Sequence, residues 1–457
     1  MKKTNISRKY SFDSYVFMAL AAIELLMSFT FLGYIHIPPI SVTFGYIPII
    51  IAACLLGPWQ SAAMGAVFGA ASMYKACASY VMPTDRIFSP ILSGSPIKSI
   101  LLAVGARALF GLIIGLIFHV AKKQKHFRVW IAAAALLAPE IHALIVYISM
   151  ILLFPETVNT YLSHAHLNIA EIIVSFFCMA LIEGLWTFYK SRMVSNFKNS
   201  IDRSCDIPYI NTGKKNIFIA VFAAFIAIMM LSATFYFSYR AAFMLKQHNI
   251  QVSAVINSDL MHLQMQFMIA MLSLCILSLI ALDMIYKYTS YQKFLGELDV
   301  ITNVMGRRIF FNCCERAQTE FDSHTVTYGW FLFIDADNFK TINDTLGHHT
   351  GDIVLKGIAA SLKQIVGEYG IVGRIGGDEF AAMINAPLEK EVLEKKLDRF
   401  LAEISGILPS PHKVSCSIGA CRFRYPVQMT PLTAKTDDLL YAAKANGRAC
   451  YVIGEYE

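Results

Sequence analysis

Residues 371–384 read IVGRIGGDEFAAMI, and this stretch decides how the C-terminal part of the chain folds. Two short apolar runs are joined there by Gly376-Gly377-Asp378-Glu379. Paired glycines between apolar runs are typical of a tight β-hairpin, so we predict strands over 371–375 and 380–384. Because glycine has no Cβ, a ligand can come close to the backbone beside the two carboxylates. The stretch therefore predicts a hairpin with a binding site at its tip.

A second acidic group lies upstream, at the end of another apolar run. Tyr328–Asp335 is predicted to be a buried strand ending in Asp335-Ala336-Asp337, and a helix is predicted from Gly351 to about Val366. Mg²⁺ prefers carboxylate and phosphate oxygens, and two such ions can stabilise the attacking and leaving oxygens of phosphoryl transfer. The two acidic groups thus indicate a magnesium–nucleotide site, with solvated acidic loops as the alternative.

From about residue 299 to residue 457 the chain resembles the GGDEF family of diguanylate cyclases. The resemblance begins with Gly376-Gly377-Asp378-Glu379-Phe380. Further residues match the family at its spacing: Asp299, Thr302, Arg307, Arg308, Asp335-Ala336-Asp337-Asn338-Phe339-Lys340, Ile342-Asn343-Asp344, Gly347-His348, Gly351-Asp352, Ser417-Ile418-Gly419, Tyr441, Lys444, Gly447 and Arg448. The resemblance implies an α/β domain with a central, mostly antiparallel sheet flanked by helices, like the palm of nucleotide cyclases.

The resemblance also implies a reaction and a set of residue roles. Two GTP molecules would be condensed into cyclic di-GMP with release of pyrophosphate, by a homodimer in which each domain holds one GTP. Two Mg²⁺ (or Mn²⁺) ions per site would be bound by Asp335, the Ala336 carbonyl, Asp378 and Glu379, with Asp378, Glu379 and Lys340 as the catalytic residues. Substrate would be bound by Gly376 and Gly377 at the turn, by Asn343 and Asp352 at guanine, and by Lys340, Lys444 and Arg448 at the triphosphate.

The sequence differs from the family pattern at two places, and each difference bears on the expected function. Asn303 and Gly306 replace the usual Gly and Asn of the family's N-terminal motif. Their presence leaves open an alternative: a catalytically weak, nucleotide-binding relay attached to a vitamin-binding, transporter-like membrane protein. The family's RxxD product-inhibition motif corresponds to Gly367, Glu368, Tyr369 and Gly370, so we expect no inhibitory site there.

The N-terminal part of the chain has the composition of a membrane protein. The whole sequence is 56% hydrophobic and 16% charged, but residues 1–286 contain only 31 charged residues and residues 287–457 contain 40. Eight apolar runs are long enough to be predicted as membrane spans, in a group of six and a pair: 14–34, 41–56, 61–82, 99–120, 129–153, 167–188, 217–238 and 265–286.

Basic residues predict the orientation of these spans. Residues 1–286 carry 20 basic and 11 acidic side chains. With the N-terminus inside, the inner loops hold most of the basic residues, as the positive-inside rule requires. We therefore predict a multi-pass protein of the bacterial cytoplasmic membrane with a cytosolic C-terminal domain, and the lipid bilayer rather than nucleic acid as the reason for the positive charge.

The six-span group resembles a second family, the substrate-binding S component of energy-coupling-factor vitamin transporters. The resemblance rests on residues 37–70, IPPISVTFGYIPIIIAACLLGPWQSAAMGAVFGA, and on RALFGLIIGL at 107–116. It implies a cavity for a vitamin-like small molecule. Because ionisable side chains within spans are costly, we expect the ligand-binding residues among Glu24, Arg107, Glu140 and Glu171, with interhelical pairing as the alternative. Glycines at four-residue spacing, such as Gly65 and Gly69, are expected to allow close helix packing.

A connector is predicted between the membrane part and the C-terminal domain. Met284, Tyr288, Tyr291, Leu295 and Leu298 follow the 4-3-4-3 spacing of a short parallel coiled coil, with one helix packed on its own domain as the alternative. The pair of spans before it is expected to enclose a loop of about 26 residues. We thus expect a sensor domain (1–190), a linker (191–216), a two-span hairpin (217–286), a coiled-coil helix (287–298) and the GGDEF domain (299–457).

Overall fold

The computed structural model describes residues 11–30, 32–37, 40–157, 169–204, 213–248, 253–319 and 328–456. The chain divides into two compact units. The described residues up to Thr289 form the N-terminal unit, and the described residues from Ser290 onwards form the C-terminal unit.

The described N-terminal unit is helical apart from one short β-hairpin. The hairpin pairs β1 (Tyr34–Ile37) with β2 (Ile40–Thr43). The helices are α1 (Phe12–Ser28), α2 (Ile47–Leu55), α3 (Pro58–Lys75), α4 (Pro96–Ile100), α5 (Ala106–Ala121), α6 (Phe127–Leu153), α7 (Ile169–Tyr189), α8 (Arg192–Ser204), α9 (Gly213–Gln247) and α10 (Ala254–Gly296). A π-helical turn over Leu101–Gly105 joins α4 to α5, and 3₁₀ turns cover Pro83–Phe88 and Pro155–Thr157.

Among the described residues, five helices are long and apolar enough to cross a membrane. They are Pro96–Ala121, Phe127–Leu153, Ile172–Tyr189, Ile219–Gln247 and Ala254–Gly296. The predicted count of eight spans is not confirmed. Residues 41–56, expected to be one span, form the end of β2 and the nine-residue helix α2, which at about 1.5 Å per residue reaches about half of a ~30 Å bilayer core.

The expected 26-residue loop between the last two spans is wrong. Helix α9 extends to Gln247 and α10 begins at Ala254, so both helices continue well beyond their apolar runs. Hydropathy marks the segment that suits lipid, whereas a helix continues for as long as its backbone hydrogen bonds are made. Helix α10 is unbroken from Ala254 to Gly296 and contains most of the predicted coiled-coil segment. The parallel dimer stays a prediction.

Small residues bring α3 into close contact with α5 and with the π-helical turn before it, as expected. A Cβ on Gly65 would overlap the carbonyl of Arg107, and one on Gly69 would overlap that of Ala103. On the other helix, Gly111 lies against the backbone of Ser61 in the same way. The four-residue glycine spacing therefore serves helix packing.

The C-terminal unit is built on a six-stranded sheet with the order β3-β5-β6-β4-β7-β8. Its strands are β3 (Met305–Gly306), β4 (Tyr328–Ala336), β5 (Gly370–Arg374), β6 (Glu379–Ile384), β7 (Cys416–Arg424) and β8 (Tyr451–Tyr456). The three central pairings, β5–β6, β6–β4 and β4–β7, are antiparallel, and the two outer pairings, β3–β5 and β7–β8, are parallel. The predicted mostly antiparallel sheet is confirmed, and so is the hairpin at 371–384.

Helices cover both faces of this sheet, because its strands alternate their side chains between two cores. Trp330, Leu332 and Ile334 of β4 pack with α13 (His348–Ile365) and α14 (Lys390–Ser405). Phe331 points the other way, into the core formed with α11 (Arg307–Thr319) and α15 (Met429–Ala445). The short helix α12 (Phe339–Leu346) has no buried residue and lies between β4 and α13 in the chain.

Candidate active site

The end of β4 lies beside the start of β6, and this register brings the two acidic groups together. Asp335 is directly opposite Glu379 in the β4–β6 pairing. The backbone N–H of Ala336 donates to the Asp378 carbonyl at 3.2 Å, which fixes the hairpin tip against the end of β4. Asp335 is 9% exposed, Asp378 is half-buried and Glu379 is exposed. The predicted juxtaposition of the carboxylates is therefore present.

Asp335 lies in an unfavourable place for a lone negative charge. Burial raises its pKa above the ordinary value, the nearby charges of Asp378 and Asp337 raise it further, and Lys444 opposes them. The ammonium of Lys444 is 2.8 Å from Oδ2 of Asp335. A concentration of negative charge at a partly open strand end favours a bound cation.

The oxygen atoms at this site would suit a hard divalent cation whose remaining ligands are phosphate oxygens. No group of three or more His, Cys, Asp and Glu side chains is arranged to hold a metal among the described residues. Mg²⁺, however, is usually bound through one or two carboxylates, with water and substrate phosphates as the other ligands. Asp335, Asp378 and the adjacent Ala336 carbonyl match that smaller requirement.

Asp337 has a structural role that the sequence did not reveal. Its carboxylate accepts hydrogen bonds from Ser417 Oγ at 2.6 Å, Ser415 Oγ at 2.8 Å and the Ala449 N–H at 3.0 Å. It is 5% exposed. Asp337 therefore ties β7 and the loop after α15 to the end of β4, and only Asp335 of this acidic pair is left to bind a ligand.

Arg374 is a second residue that sequence reasoning missed. Its guanidinium donates to the Gly377 carbonyl at 2.6 Å through Nη2 and to Asp299 at 3.0 Å through Nη1. Asp299 also accepts from the Thr302 hydroxyl and N–H. Arg374 thus connects the first residues of the domain with the turn that carries Asp378. The sequence feature that could have indicated this role is an arginine two residues before the paired glycines.

The Asp299 contacts lead to a prediction about acid stability. Burial alone would raise the pKa of Asp299, but hydrogen bonds from Thr302 and Arg374 outweigh burial and hold the pKa below its ordinary value. Such a carboxylate stabilises the fold above its unfolded pKa of about 3.9, and the contribution is lost as the pH falls through the lower folded value. In urea unfolding of residues 290–457, we expect wild type to be more stable than Asp299→Asn at about pH 7 and to lose this advantage towards about pH 2. An advantage that is independent of pH would contradict the assignment.

The altered N-terminal motif is compatible with this arrangement. Asn303 has a φ of +55°, in the left-handed region that Asn tolerates better than most residues and that suits the usual glycine. Its N–H donates to the Asp299 carbonyl at 2.8 Å. At Gly306, an added Cβ would lie 3.0 Å from the Glu297 carbonyl. The contacts of Asp299 with Thr302 and Arg374 are formed with Asn303 and Gly306 in place.

The predicted guanine-binding residues lie on two consecutive helices. Asn343 is in α12 and Asp352 is in α13, and both are half-buried. Gly347, with a φ of +83°, separates the two helices, and α13 begins three residues earlier than predicted. A Cβ on Gly351 would overlap Oδ1 of Asn343, so the absence of a side chain at 351 sets the position of the Asn343 amide.

The predicted phosphate-binding residues differ in how firmly they are held. Lys340, in the first turn of α12, and Arg448 are exposed. Lys444 is fixed by its ion pair with Asp335. Arg448 follows Gly447 in a loop where residues 447, 448 and 449 all have positive φ, and Asp337 binds this loop at Ala449. Ligand binding would therefore require Lys444 to share its charge between Asp335 and a phosphate.

The four candidates in the N-terminal unit have different surroundings. Glu24 is fully buried and accepts a hydrogen bond from Ser28 through Oε1, whereas its Oε2 has no hydrogen-bond partner among the described residues. Arg107 is 7% exposed and lines a cavity of about 470 Å³. Glu140 is exposed on α6 and does not line this cavity. The side chain of Glu171 lies outside the described part of the chain.

Comparison with known families confirms both resemblances. Residues 297–450 match the family model described as diguanylate cyclase, GGDEF domain. Residues 16–189 match the model described as ECF transporter, substrate-specific component. Each model covers about a third of the chain, so the two halves of the molecule are similar to different families.

Two curated relatives each match about a third of this chain. An uncharacterised protein, YhcK of Bacillus subtilis, is 33% identical over 162 residues, which cover 34% of this chain and 45% of YhcK. Diguanylate cyclase DgcS of Shewanella oneidensis is 31% identical over 159 residues, which cover 34% of this chain and 51% of DgcS. The chain thus spans about half the length of these relatives. A solved structure of the coiled coil and GGDEF domain of DgcB from Caulobacter crescentus, in complex with c-di-GMP, matches 38% of this chain and 93% of that one, with 23% identity and a TM-score of 0.35.

Proposed function

We propose that the GGDEF domain of this chain condenses two molecules of GTP into cyclic di-GMP. In each of two steps, a GTP 3′-oxygen attacks the α-phosphorus of the other nucleotide, a P–O bond to the β-phosphate breaks, and pyrophosphate leaves. The observation that carries the proposal is the pairing of Asp335 with Glu379, next to Asp378, at the end of two adjacent strands. The named cyclases among the relatives support it.

We propose the following roles for the predicted site residues. Asp335, Asp378 and the Ala336 carbonyl would hold the divalent ion, which when bound would neutralise phosphate charge and polarise the reacting oxygens. Glu379, exposed at the hairpin tip, would bind the ion or accept the proton of the 3′-hydroxyl. Lys340, Lys444 and Arg448 would orient the triphosphate through charge-assisted hydrogen bonds.

The reaction needs two copies of the domain, because each supplies one of the two reacting nucleotides. We therefore propose a homodimer held through α10 and the GGDEF domain, which would make dimer geometry the point of control. Within the predicted stripe on α10, Leu295 is 41% exposed and can meet a partner helix, whereas Tyr288 packs on Phe197 of its own chain and Tyr291 is 8% exposed. Since GTP is a cytosolic nucleotide, we also propose that the C-terminal unit faces the cytosol and that the long apolar helices anchor the chain in the bacterial cytoplasmic membrane.

The membrane part is proposed to be the input of this cyclase. Its support is the match to the substrate-specific component of ECF transporters, together with a cavity lined by Arg107. We propose no product inhibition through the family's RxxD positions, because Gly367 and Gly370 occupy them. A Cβ on Gly370 would overlap the Met383 carbonyl, so an aspartate there would require the backbone to move.

The contact between Gly351 and Asn343 leads to a prediction about GTP binding. In Gly351→Ala, the new Cβ displaces the Asn343 amide from its position, so we expect the KM for GTP to rise about tenfold or more, the equivalent of one lost hydrogen bond. The control is Gly406→Ala, where the nearest atom to the new Cβ is 3.7 Å away. A KM within about twofold of wild type for Gly351→Ala would argue against Asn343 as a guanine ligand.

A catalytically weak relay is the second candidate, and GTP turnover distinguishes the two. Residues 290–457 fused to a dimeric leucine zipper should form cyclic di-GMP from GTP and Mg²⁺, and the same fragment without the zipper should form far less. Asp299 makes its contacts with Arg374 and Thr302 even though the N-terminal motif is altered, and this favours the active enzyme. GTP binding without product by the dimeric fragment would favour the relay.

A further inference from the structure

The cavity of the N-terminal unit is lined by groups that select a particular kind of ligand. Its volume of about 470 Å³ falls in the usual range for small-molecule sites. Aromatic side chains, Phe68, Tyr80 and Phe88, form part of the wall, and Lys75, Asp85 and Arg107 are the charged residues among the described lining. The proposal that follows rests on the sensing role proposed above.

Arg107 is held firmly but is incompletely hydrogen-bonded. Its guanidinium lies over the rings of Phe68 and Phe88, at 5.0 and 5.1 Å from their centres. Nη1 donates to the Ala103 carbonyl at 2.9 Å, whereas Nε has no hydrogen-bond partner among the described residues. Both hydrogen bonds of the guanidinium to described residues come from Nη1, so the rest of this charged group is left to donate to an acceptor that enters the cavity.

The charge of Arg107 is also uncompensated by direct contact. Glu24 and Asp85 are near enough to interact with it electrostatically. Yet Arg107 makes no ion pair in the part of the chain that the structure describes. A carboxylate fits an arginine edge with two parallel hydrogen bonds, and the aromatic wall suits a flat or apolar body attached to it. These features select a small organic carboxylate over a neutral molecule.

Helix α10 supplies part of the same cavity wall. Gln266 lines the cavity, and its Nε2 donates to Tyr80 Oη at 3.3 Å and lies 2.9 Å from His262 Nδ1. His262 stacks on Tyr74, with ring centres 4.4 Å apart, and its Nε2 is 2.9 Å from the Tyr74 carbonyl. Asp259 accepts from the Ser79 N–H at 3.1 Å. The first turns of α10 are thus attached to the cavity-lining segment after α3.

We propose that this cavity binds a small organic carboxylate through Arg107. We further propose that the bound carboxylate acts on helix α10 through Gln266, which belongs to that helix. Gln266 lines the same cavity as Arg107, so a ligand bound there can contact Gln266 and change its hydrogen bonds with Tyr80 and His262. Because α10 continues without a break to Gly296, three residues before Asp299, the same helix that forms the cavity wall leads into the cyclase domain.

The binding part is tested by thermal unfolding of the full-length protein in lipid nanodiscs. The probes are benzoate, nicotinate and 4-aminobenzoate at millimolar concentration, each compared with its neutral amide. We expect at least one acid, and not its amide, to raise the melting temperature of wild type and of the control Arg86→Gln, in which an exposed arginine is changed. Arg107→Gln should lose the shift, and Arg107→Lys should keep only part of it. Equal shifts by acid and amide, no shift by any acid, or an undiminished shift in Arg107→Gln would overturn the proposal; the acid–amide comparison needs only wild type.

The coupling part is tested by cyclic di-GMP formation with the acid that stabilises the protein most. We expect the rate to change at least about twofold in wild type and in Gln264→Ala, whose residue faces α9, and to stay at its own basal value in Gln266→Ala. A response in Gln266→Ala equal to that of wild type would overturn the role of Gln266. A chain that binds the acid but forms no cyclic di-GMP would refute the proposed cyclase function and leave the carboxylate site intact.

Discussion

Replacing Asp378 by alanine is expected to lower the rate of cyclic di-GMP formation by at least about a thousandfold. Asp378 lies at the hairpin tip, where its own carbonyl is bound by the Ala336 N–H and its charge acts on Asp335. Without this carboxylate, the proposed metal-ligand set would lose one of its two side chains, and the phosphate charge that develops during transfer would be less well compensated. The fold should be retained, because Asp378 is half-buried and lies in a turn.

Asp438→Ala provides the matched control for this measurement. Asp438 is an exposed aspartate on α15, and its removal should leave the rate within about twofold of wild type. Initial rates would be measured by chromatography of the products from GTP and Mg²⁺, with the full-length protein. If Asp378→Ala retained more than about a tenth of the wild-type rate, Asp378 would not be a metal ligand.

Replacing Asp337 by alanine is expected to destabilise the C-terminal unit by about 3 kcal/mol, which corresponds to a fall in melting temperature of about 10 °C. The Asp337 carboxylate accepts three hydrogen bonds, and the Ser417 hydroxyl, which is fully buried, would lose its acceptor. The loop carrying Arg448 would also lose its attachment at Ala449. Activity should fall as well, but as a consequence of this loosened loop.

The two aspartates of this acidic pair are therefore distinguished by stability rather than by activity. Thermal unfolding of residues 290–457 should show a large fall for Asp337→Ala and little change for Asp438→Ala. Asp335→Ala should be no less stable than wild type, since its removal relieves the burial of a charge surrounded by other carboxylates. Equal stability of wild type and Asp337→Ala would contradict the structural assignment of Asp337.

Much of the fold and site of the C-terminal unit was predictable because short, contiguous sequence patterns specify them. The paired glycines between apolar runs predicted the β5–β6 hairpin, and the apolar run ending in Asp335 predicted β4. However, the alternating pattern of a strand cannot distinguish the structural role of Asp337 from the ligand-binding role proposed for Asp335. The hydrogen-bond partners of Asp337 come from β7 and from the loop after α15, which are distant in the sequence. The same limit applied to Arg374, whose partner Asp299 is 75 residues away in the chain.

The N-terminal unit was harder to predict, because hydropathy reports only on lipid compatibility. Residues 41–56 are apolar enough to be taken for a span, yet they include a hairpin strand and a nine-residue helix. Arg107 and Glu140 look alike in the sequence, since each is an ionisable residue within an apolar run. In the structure, Arg107 lines the cavity whereas Glu140 is on an exposed helix face. The contribution of Gln266 to the cavity could not have been predicted, because it depends on α10 packing against a segment more than 180 residues earlier.

The central claim is that this chain makes cyclic di-GMP, and product stoichiometry tests it most directly. Purified full-length protein in nanodiscs would be incubated with GTP and Mg²⁺, with Asp378→Ala as the background. We expect one cyclic di-GMP and two pyrophosphates for every two GTP consumed. GTP that is bound but not consumed, or that is hydrolysed without forming cyclic di-GMP, would contradict the claim.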